Sequence, residues 1–118
     1  MDPWDVAQFC YLSTKGRRSG NEHTVEIWFG LRDGRLYMLS GGGDRSDWVR
    51  NLREDPAVVV DLHRPGVEPR SGRARLVTDP AEDREARRLL AAKYQGWREG
   101  QALSSWARTA LPVAVEFD

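Results

Sequence analysis

Three cations fall within four residues at Lys15-Gly16-Arg17-Arg18, followed by Ser19-Gly20, and no acid stands between Asp5 and Glu22. Glycines let such a segment turn its backbone N–H groups outward, and guanidinium groups offer planar forks to phosphate or carboxylate oxygens. This pattern predicts capture of an anion; the same residues would also make a solvated basic turn. The spacing G-x-x-x-x-G-K is absent, so a nucleoside-triphosphate loop is not implied. A second candidate is Ser40-Gly41-Gly42-Gly43, ahead of Asp44-Arg45-Ser46-Asp47-Trp48. Successive glycines cost backbone entropy on folding, which points to a ligand approaching the main chain closely. They also precede a helix start, where free N–H groups favour an anion, although a flexible connection would read the same way. The third candidate is one face of a strand carrying Glu26 and Trp28, a carboxylate beside a ring that suits a planar ligand. A lone tryptophan is more often core, the chain has five, and Glu26 could equally be a solvated strand residue.

Other groups promise less. His23 follows the basic loop and would contact an anion only when protonated. His63 has no sequence-near partner for a triad. Ser104-Ser105 and Cys10 lack a G-x-S-x-G context or a positioned base, so nucleophilic catalysis is not indicated.

These groups need elements to hold them. Phe9 to Ser13 reads as a first strand, and residues 14–21 as a turn. Thr24 to Leu31 alternates, with Val25, Ile27, Phe29 and Leu31 on one face and Thr24, Glu26, Trp28 and Gly30 on the other. Asp33-Gly34 turns the chain into a third strand, Arg35 to Ser40. A helix from Ser46 to Glu54, capped by Asp44 or Ser46, ends at Asp55-Pro56. Ala57 to Leu62 reads as a central strand, residues 63–69 as a loop, and the arginine-rich Arg70 to Val77 as a strand near an edge or groove. Asp79-Pro80-Ala81-Glu82 starts a helix reaching Tyr94, with an exposed Asp83–Arg87 pair. A helical turn at Ser104 to Thr109 and a last strand, Val113 to Phe117, complete the chain. About six mostly antiparallel strands with two inserted helices make an α+β domain, most simply a small barrel.

Length and composition set the frame. The 118 residues fit one domain spanning 1–118. Lys+Arg and Asp+Glu are both 18, which argues against a general nucleic-acid binder. One cysteine and two histidines permit neither a disulfide framework nor a structural zinc site, so no metal is expected. No run approaches the ~20 apolar residues of a membrane span, and MDPWDVAQF lacks the pattern of a signal peptide. The expectation is a cytoplasmic protein.

The order of segments, with Ser13-Thr14-Lys15-Gly16-Arg17-Arg18-Ser19-Gly20, Asp47-Trp48-Val49-Arg50-Asn51-Leu52 and Trp106-Ala107-Arg108-Thr109-Ala110-Leu111-Pro112-Val113, resembles the deazaflavin-dependent nitroreductase family, also called F420-dependent quinone reductase-like. The resemblance runs from about Leu12 to Val115. It implies a split β-barrel of the flavin-reductase or pyridoxamine-phosphate-oxidase type, with coenzyme F420, a 5-deazaflavin with a phosphate-linked polyglutamylated tail, as cofactor. By that pattern Lys15, Arg17, Arg18 and Ser19 hold the phosphate and tail, and Glu26, Ile27 and Trp28 line the ring. Ser40, Gly41, Gly42 and Gly43 pack main chain against the ring, with Trp48 and Asn51 supporting that wall. The implied reaction is hydride transfer from C5 of the reduced cofactor to a quinone, enone or nitro compound, with Glu26 or solvent supplying the proton. FMN in the same groove, or a carrier without turnover, are the alternatives. Only a few residues precede the first strand, so membrane association is not implied. Leu103 and Gly100 stand where quinone- and nitroimidazole-reducing members carry tyrosines, so nitroreductase activity does not follow. Such proteins often pair as homodimers.

Overall fold

The structure, a computed structural model, describes residues 2–118. In chain order it contains α1 (Pro3–Val6), β1 (Cys10–Lys15), β2 (Glu22–Ile27), β3 (Gly30–Arg32), β4 (Arg35–Ser40), α2 (Asp47–Glu54), β5 (Ala57–Asp61), β6 (Arg70–Leu76), α3 (Pro80–Gln95), α4 (Ser105–Thr109) and β7 (Leu111–Phe117), with a 3₁₀ turn at Gly43–Arg45. The strands form one sheet in the order β2-β1-β5-β6-β7-β4-β3, antiparallel throughout.

This order dictates a curled sheet. β2 and β3 stand at opposite edges, and only Trp28 and Phe29 join them. Seven strands laid flat would hold their edges roughly 29 Å apart. Three Cα steps reach about 11 Å. The sheet therefore bends round until its edges meet, as a split barrel does.

The expected single strand from Thr24 to Leu31 is thus two strands, which raises the count from six to seven. The break has a local cause in α3. The Phe29 N–H donates to Tyr94 Oη at 2.9 Å, and the Phe29 carbonyl accepts from Tyr94 Oη at 2.9 Å and Lys93 Nζ at 2.8 Å. These bonds satisfy the backbone groups that leave the ladder. The alternation survives the break: Phe29 is fully buried, whereas Trp28 is 43% exposed.

Phe29 joins Leu12, Leu36, Met38, Val49, Val60, Val113 and Val115 in the core. β6 stands at the centre of the sheet rather than near an edge. Arg73 and Arg75 are tolerated there because they alternate outward while Gly72 and Ala74 point in, and Arg70 begins the strand. A Cβ at Gly72 would lie 2.7 Å from the Glu116 carbonyl, so β7 can approach only a glycine. Arg75 reaches Glu82 at 2.7 Å and Glu116 at 3.3 Å, and Arg70 lies over the Phe117 ring.

The helix at 80–95 starts as expected, with Asp79 accepting the Glu82 N–H at 2.9 Å, and ends at Gly96 in the left-handed conformation (φ 65°). In α2, Ser46 holds the N-cap position, but its hydroxyl bonds Ser40 rather than the helix. α1 was not expected, although Asp2-Pro3 carries the same start signal as Asp79-Pro80. Asp2 caps the Trp4 N–H at 2.9 Å, and Trp4 packs edge-on against Phe29 and Phe117. No helix among the described residues is long and apolar enough to cross a membrane.

Candidate functional site

β1 and β2 pair with Lys15 opposite Glu22, so residues 16–21 form the hairpin loop. The Gly16 N–H donates to the Asn21 carbonyl at 2.7 Å, and Gly20 turns with φ +74°. Ser19 Oγ accepts the Asn21 N–H at 3.1 Å, which shapes the turn. The loop is fastened to α2 by one buried amide. Asn51 Oδ1 accepts the Arg17 N–H at 3.2 Å and its Nη1 at 2.9 Å, while Asn51 Nδ2 donates to Thr14 Oγ1 at 3.1 Å. Arg17 Nη2 also reaches Asp47 at 3.1 Å. Arg18 is exposed, and Lys15 lies 3.9 Å from Asp55 in a solvent-facing pair. Gly16, Arg17, Arg18, Ser19, Asp47 and Asn51 surround a depression of about 270 Å³, into which His23 also faces. Its Nε2 sits where a Cβ on Gly16 would be 2.6 Å away.

At the other end of β2, roughly 17 Å along the strand, lies an open cleft of about 490 Å³. Glu26, Ile27 and Trp28 form one side, Leu39 and Trp106 another, and Phe9 and Gln95 close the rim. Trp28 stacks on Tyr94 with ring centroids 4.3 Å apart and planes 1° from parallel, and meets Trp106 edge-on at 5.4 Å. Tyr94 is braced in turn by its bonds to Phe29 and to the Gln8 carbonyl at 2.7 Å. Burial pushes its hydroxyl up to about 12, so it serves as a neutral support. Glu26 accepts the Tyr11 hydroxyl at 3.0 Å, and that bond raises the Tyr11 pKa.

The glycine segment joins these two places. Ser40 is buried and donates to the Gly43 carbonyl at 2.9 Å, with Ser46 Oγ at 2.9 Å. A Cβ on Gly42 would lie 2.6 Å from that Ser46 hydroxyl, so a side chain there would displace it from Ser40. A Cβ on Gly41 would lie 3.7 Å from the Trp106 indole, so Gly41 faces that ring, while Asp47, six residues on, holds Arg17. Residues 41–47 thus form a wall running from the aromatic cleft to the basic loop.

The residues expected from sequence therefore gather in two clusters. Glu26, Ile27 and Trp28 line the cleft, and Gly41 faces Trp106 at its edge. Arg17, Arg18 and Ser19 line the depression, with Lys15 at the foot of the loop. Asn51 belongs to the loop, where it anchors Arg17, and not to the glycine wall. Trp48 is half-buried against the core. Phe9, Leu39, Gln95 and Trp106 were not expected in the cleft, nor Tyr94 behind it. They come from four separate parts of the chain, and no local spacing connects them.

The donor set fits a planar ring with an anionic tail: aromatic walls at one end, cations and N–H groups at the other, bare main chain between. A profile of the F420H(2)-dependent quinone reductase family matches residues 2–118. No curated protein sequence matches significantly. Among solved structures, a conserved hypothetical protein from Mycobacterium tuberculosis superposes with a TM-score of 0.81 at 19% identity, over 96% of this chain and 74% of that one. An F420-H2 dependent reductase (FDR-A) superposes with a TM-score of 0.67 at 24% identity, over 92% and 94%. A FAD-binding protein from Mesorhizobium loti gives 0.67 at 18% identity, over 98% and 84%. At these identities the structures establish the shared split-barrel fold.

Proposed function

The chain belongs to the F420H(2)-dependent quinone reductase family, and from that premise we propose that it reduces a planar, electron-poor acceptor, a quinone before an enone or nitro compound, in the Trp28–Trp106 cleft. It is an oxidoreductase and its cofactor is coenzyme F420, which sets aside the FMN and carrier readings. The observation that carries the site assignment is the 41–47 wall, which faces Trp106 at one end and holds Arg17, through Asp47, at the other.

The reduced deazaflavin, when bound, supplies a hydride from its C5. This chain's residues do the rest. Arg18, Lys15 and the N–H groups of Arg18 and Ser19 take the phosphate and acidic tail, and Arg17 gives the loop its shape by tying it to Asn51 and Asp47. Trp28, held parallel to Tyr94, and Trp106 fix the plane of the ring and shield one side from water. Gly41 to Gly43 let the main chain approach that ring without side chains in the way. Water reaching the open cleft returns the proton that completes reduction, directly or relayed by the Glu26 carboxylate at the rim.

The chain is also proposed to form a homodimer in the cytoplasm. The outward row Thr24–Ser13–Val59–Ser71 across β2, β1, β5 and β6 is uncharged, with Val59 38% exposed, and suits a second copy. Sedimentation at two concentrations checks that state. The functional test is turnover: reduced F420 mixed with 1,4-naphthoquinone and the protein should regain deazaflavin fluorescence at a rate proportional to protein. No acceleration with any quinone, enone or nitro acceptor would overturn the assignment.

A further inference from the structure

Of the residues lining the cleft, one alone is charged, and it is Glu26. No Lys, Arg or His forms an ion pair with it among the described residues; its partner is the Tyr11 hydroxyl at 3.0 Å. The strand register explains why it stays in place. Glu26, Tyr11 and Asp61 are directly opposed across β2, β1 and β5, so their side chains share the outward face. Tyr11 is fixed from its other side by His63, whose ring stacks on it at 3.9 Å and 13°. His63 adopts a left-handed backbone (φ 54°), a conformation that a non-glycine residue holds at a cost. Asp61 accepts the His63 N–H at 3.0 Å and lies 3.5 Å from its Nε2. Asp61 thus has a local partner, whereas Glu26 presents a carboxylate to the cleft. The loop cations begin roughly 14 Å away along β2, beyond the ~8–10 Å over which charge is felt at physiological salt.

We infer that Glu26, held by Tyr11, is a charge filter for the acceptor: it favours planar acceptors with a cationic substituent over neutral ones, and disfavours those with an anionic substituent. The inference rests on the assignment of the cleft as the reducing site. Its physics is that of specificity built by repulsion as well as attraction. The Phe9–Tyr11–His63 edge, with Phe9 40% exposed, offers a cationic substituent aromatic faces beside the carboxylate. The two ends of β2 then select opposite charges, an anionic cofactor tail at one and a non-anionic acceptor at the other.

The test compares kcat/KM of the F420-loaded enzyme at pH 7 for 1,4-naphthoquinone, a naphthoquinone sulfonate and a naphthoquinone carrying a quaternary ammonium group. The three differ in intrinsic reactivity, so the quantity read is the cationic-to-anionic ratio in Glu26→Gln divided by that in wild type. This division cancels the chemistry of the quinones. The ratio should fall about fivefold in Glu26→Gln and shrink in 0.5 M salt for wild type. Tyr11→Phe, which releases the carboxylate without removing it, should lower the ratio about twofold through KM rather than kcat. A ratio unchanged in Glu26→Gln overturns the filter while leaving the reductase assignment intact. Absence of turnover with all three quinones overturns the quinone assignment, and the filter with it.

Discussion

The basic loop and the aromatic cleft lie at opposite ends of one hairpin, yet they are built by different physics. The loop is contiguous in sequence and held by directional bonds, Asn51 serving Arg17 and Thr14 at once. The cleft is assembled from Trp28, Leu39 and Trp106, with Tyr94 behind, and depends on packing across α3, α4 and the sheet. An anion needs donors at fixed places, which a short turn provides. A planar ring needs walls on several sides, which only tertiary structure provides. The contrast predicts that perturbing the loop changes the salt dependence of cofactor binding, whereas perturbing the cleft changes affinity at every salt concentration.

The largest effect should come from Arg17→Ala combined with Arg18→Ala. Loss of the Arg18 contact together with the Arg17 tether that shapes the loop should raise the F420 dissociation constant about 100-fold at low salt, with the gap closing as salt is added. Fluorescence titration reads this directly, and an affinity unchanged at low salt would remove the loop from the account. Next is Asn51→Ala. Asn51 is 2% exposed, and its loss leaves the Thr14 hydroxyl and the Arg17 N–H without their partner. The expected cost is about 2 kcal/mol, a melting point roughly 10 °C lower, with cofactor binding weakened in parallel. Thermal unfolding with and without F420 separates the two effects.

Trp106→Ala should weaken cofactor binding about tenfold with the salt slope intact, the complement of the arginine result. A changed slope would mean the two ends are not separable. The smallest effect is set by the Arg75 guanidinium, which with Tyr37 holds the Glu82 carboxyl at about 2, well below its ordinary value. A lowered folded-state pKa stabilises at pH above the unfolded value of about 4.5, and that stability is lost as pH falls towards 2. Glu82→Gln should therefore cost about 1 kcal/mol near neutral pH, discounted because the Arg75 side chain is 37% exposed. The difference from wild type should narrow steadily as pH falls below 4.5, as followed by urea unfolding between pH 6 and 2.5. Because Glu82 lies in neither region, cofactor binding should be unmoved.

The same division explains what could be read from sequence. The cap at Asp79-Pro80 and the strand at 35–40 are local patterns and appear where expected, whereas the turn expected over 14–21 is shorter, 16–21, because Thr14 and Lys15 continue β1 and pair with His23 and Glu22. Alternation through residues 24–31 correctly separated buried Phe29 from exposed Trp28. It could not reveal the break between β2 and β3, because that break is made by Tyr94 and Lys93, more than sixty residues away. β6 looked like an edge because of its arginines. Its central place depends on Glu82 and Glu116, which neutralise Arg75 from α3 and β7. Asn51 was visible as a motif residue, but its role as clamp on Arg17 depends on how α2 docks against β1. Trp106 and Tyr94 were legible as helix residues and not as cleft walls, since nothing in their spacing links them to Trp28.

The central claim is that one cofactor spans both regions, its ring at Trp28 and Trp106 and its anionic tail at the loop. The most direct measurement is titration of wild type, Arg17→Ala/Arg18→Ala and Trp106→Ala with oxidised F420 at 50 mM and 500 mM salt. The account predicts tight, salt-sensitive binding by wild type. It also predicts loss of that sensitivity in the arginine variant, and weaker binding with full sensitivity in the tryptophan variant. Salt-insensitive binding by wild type, or equal salt slopes in all three proteins, would contradict it.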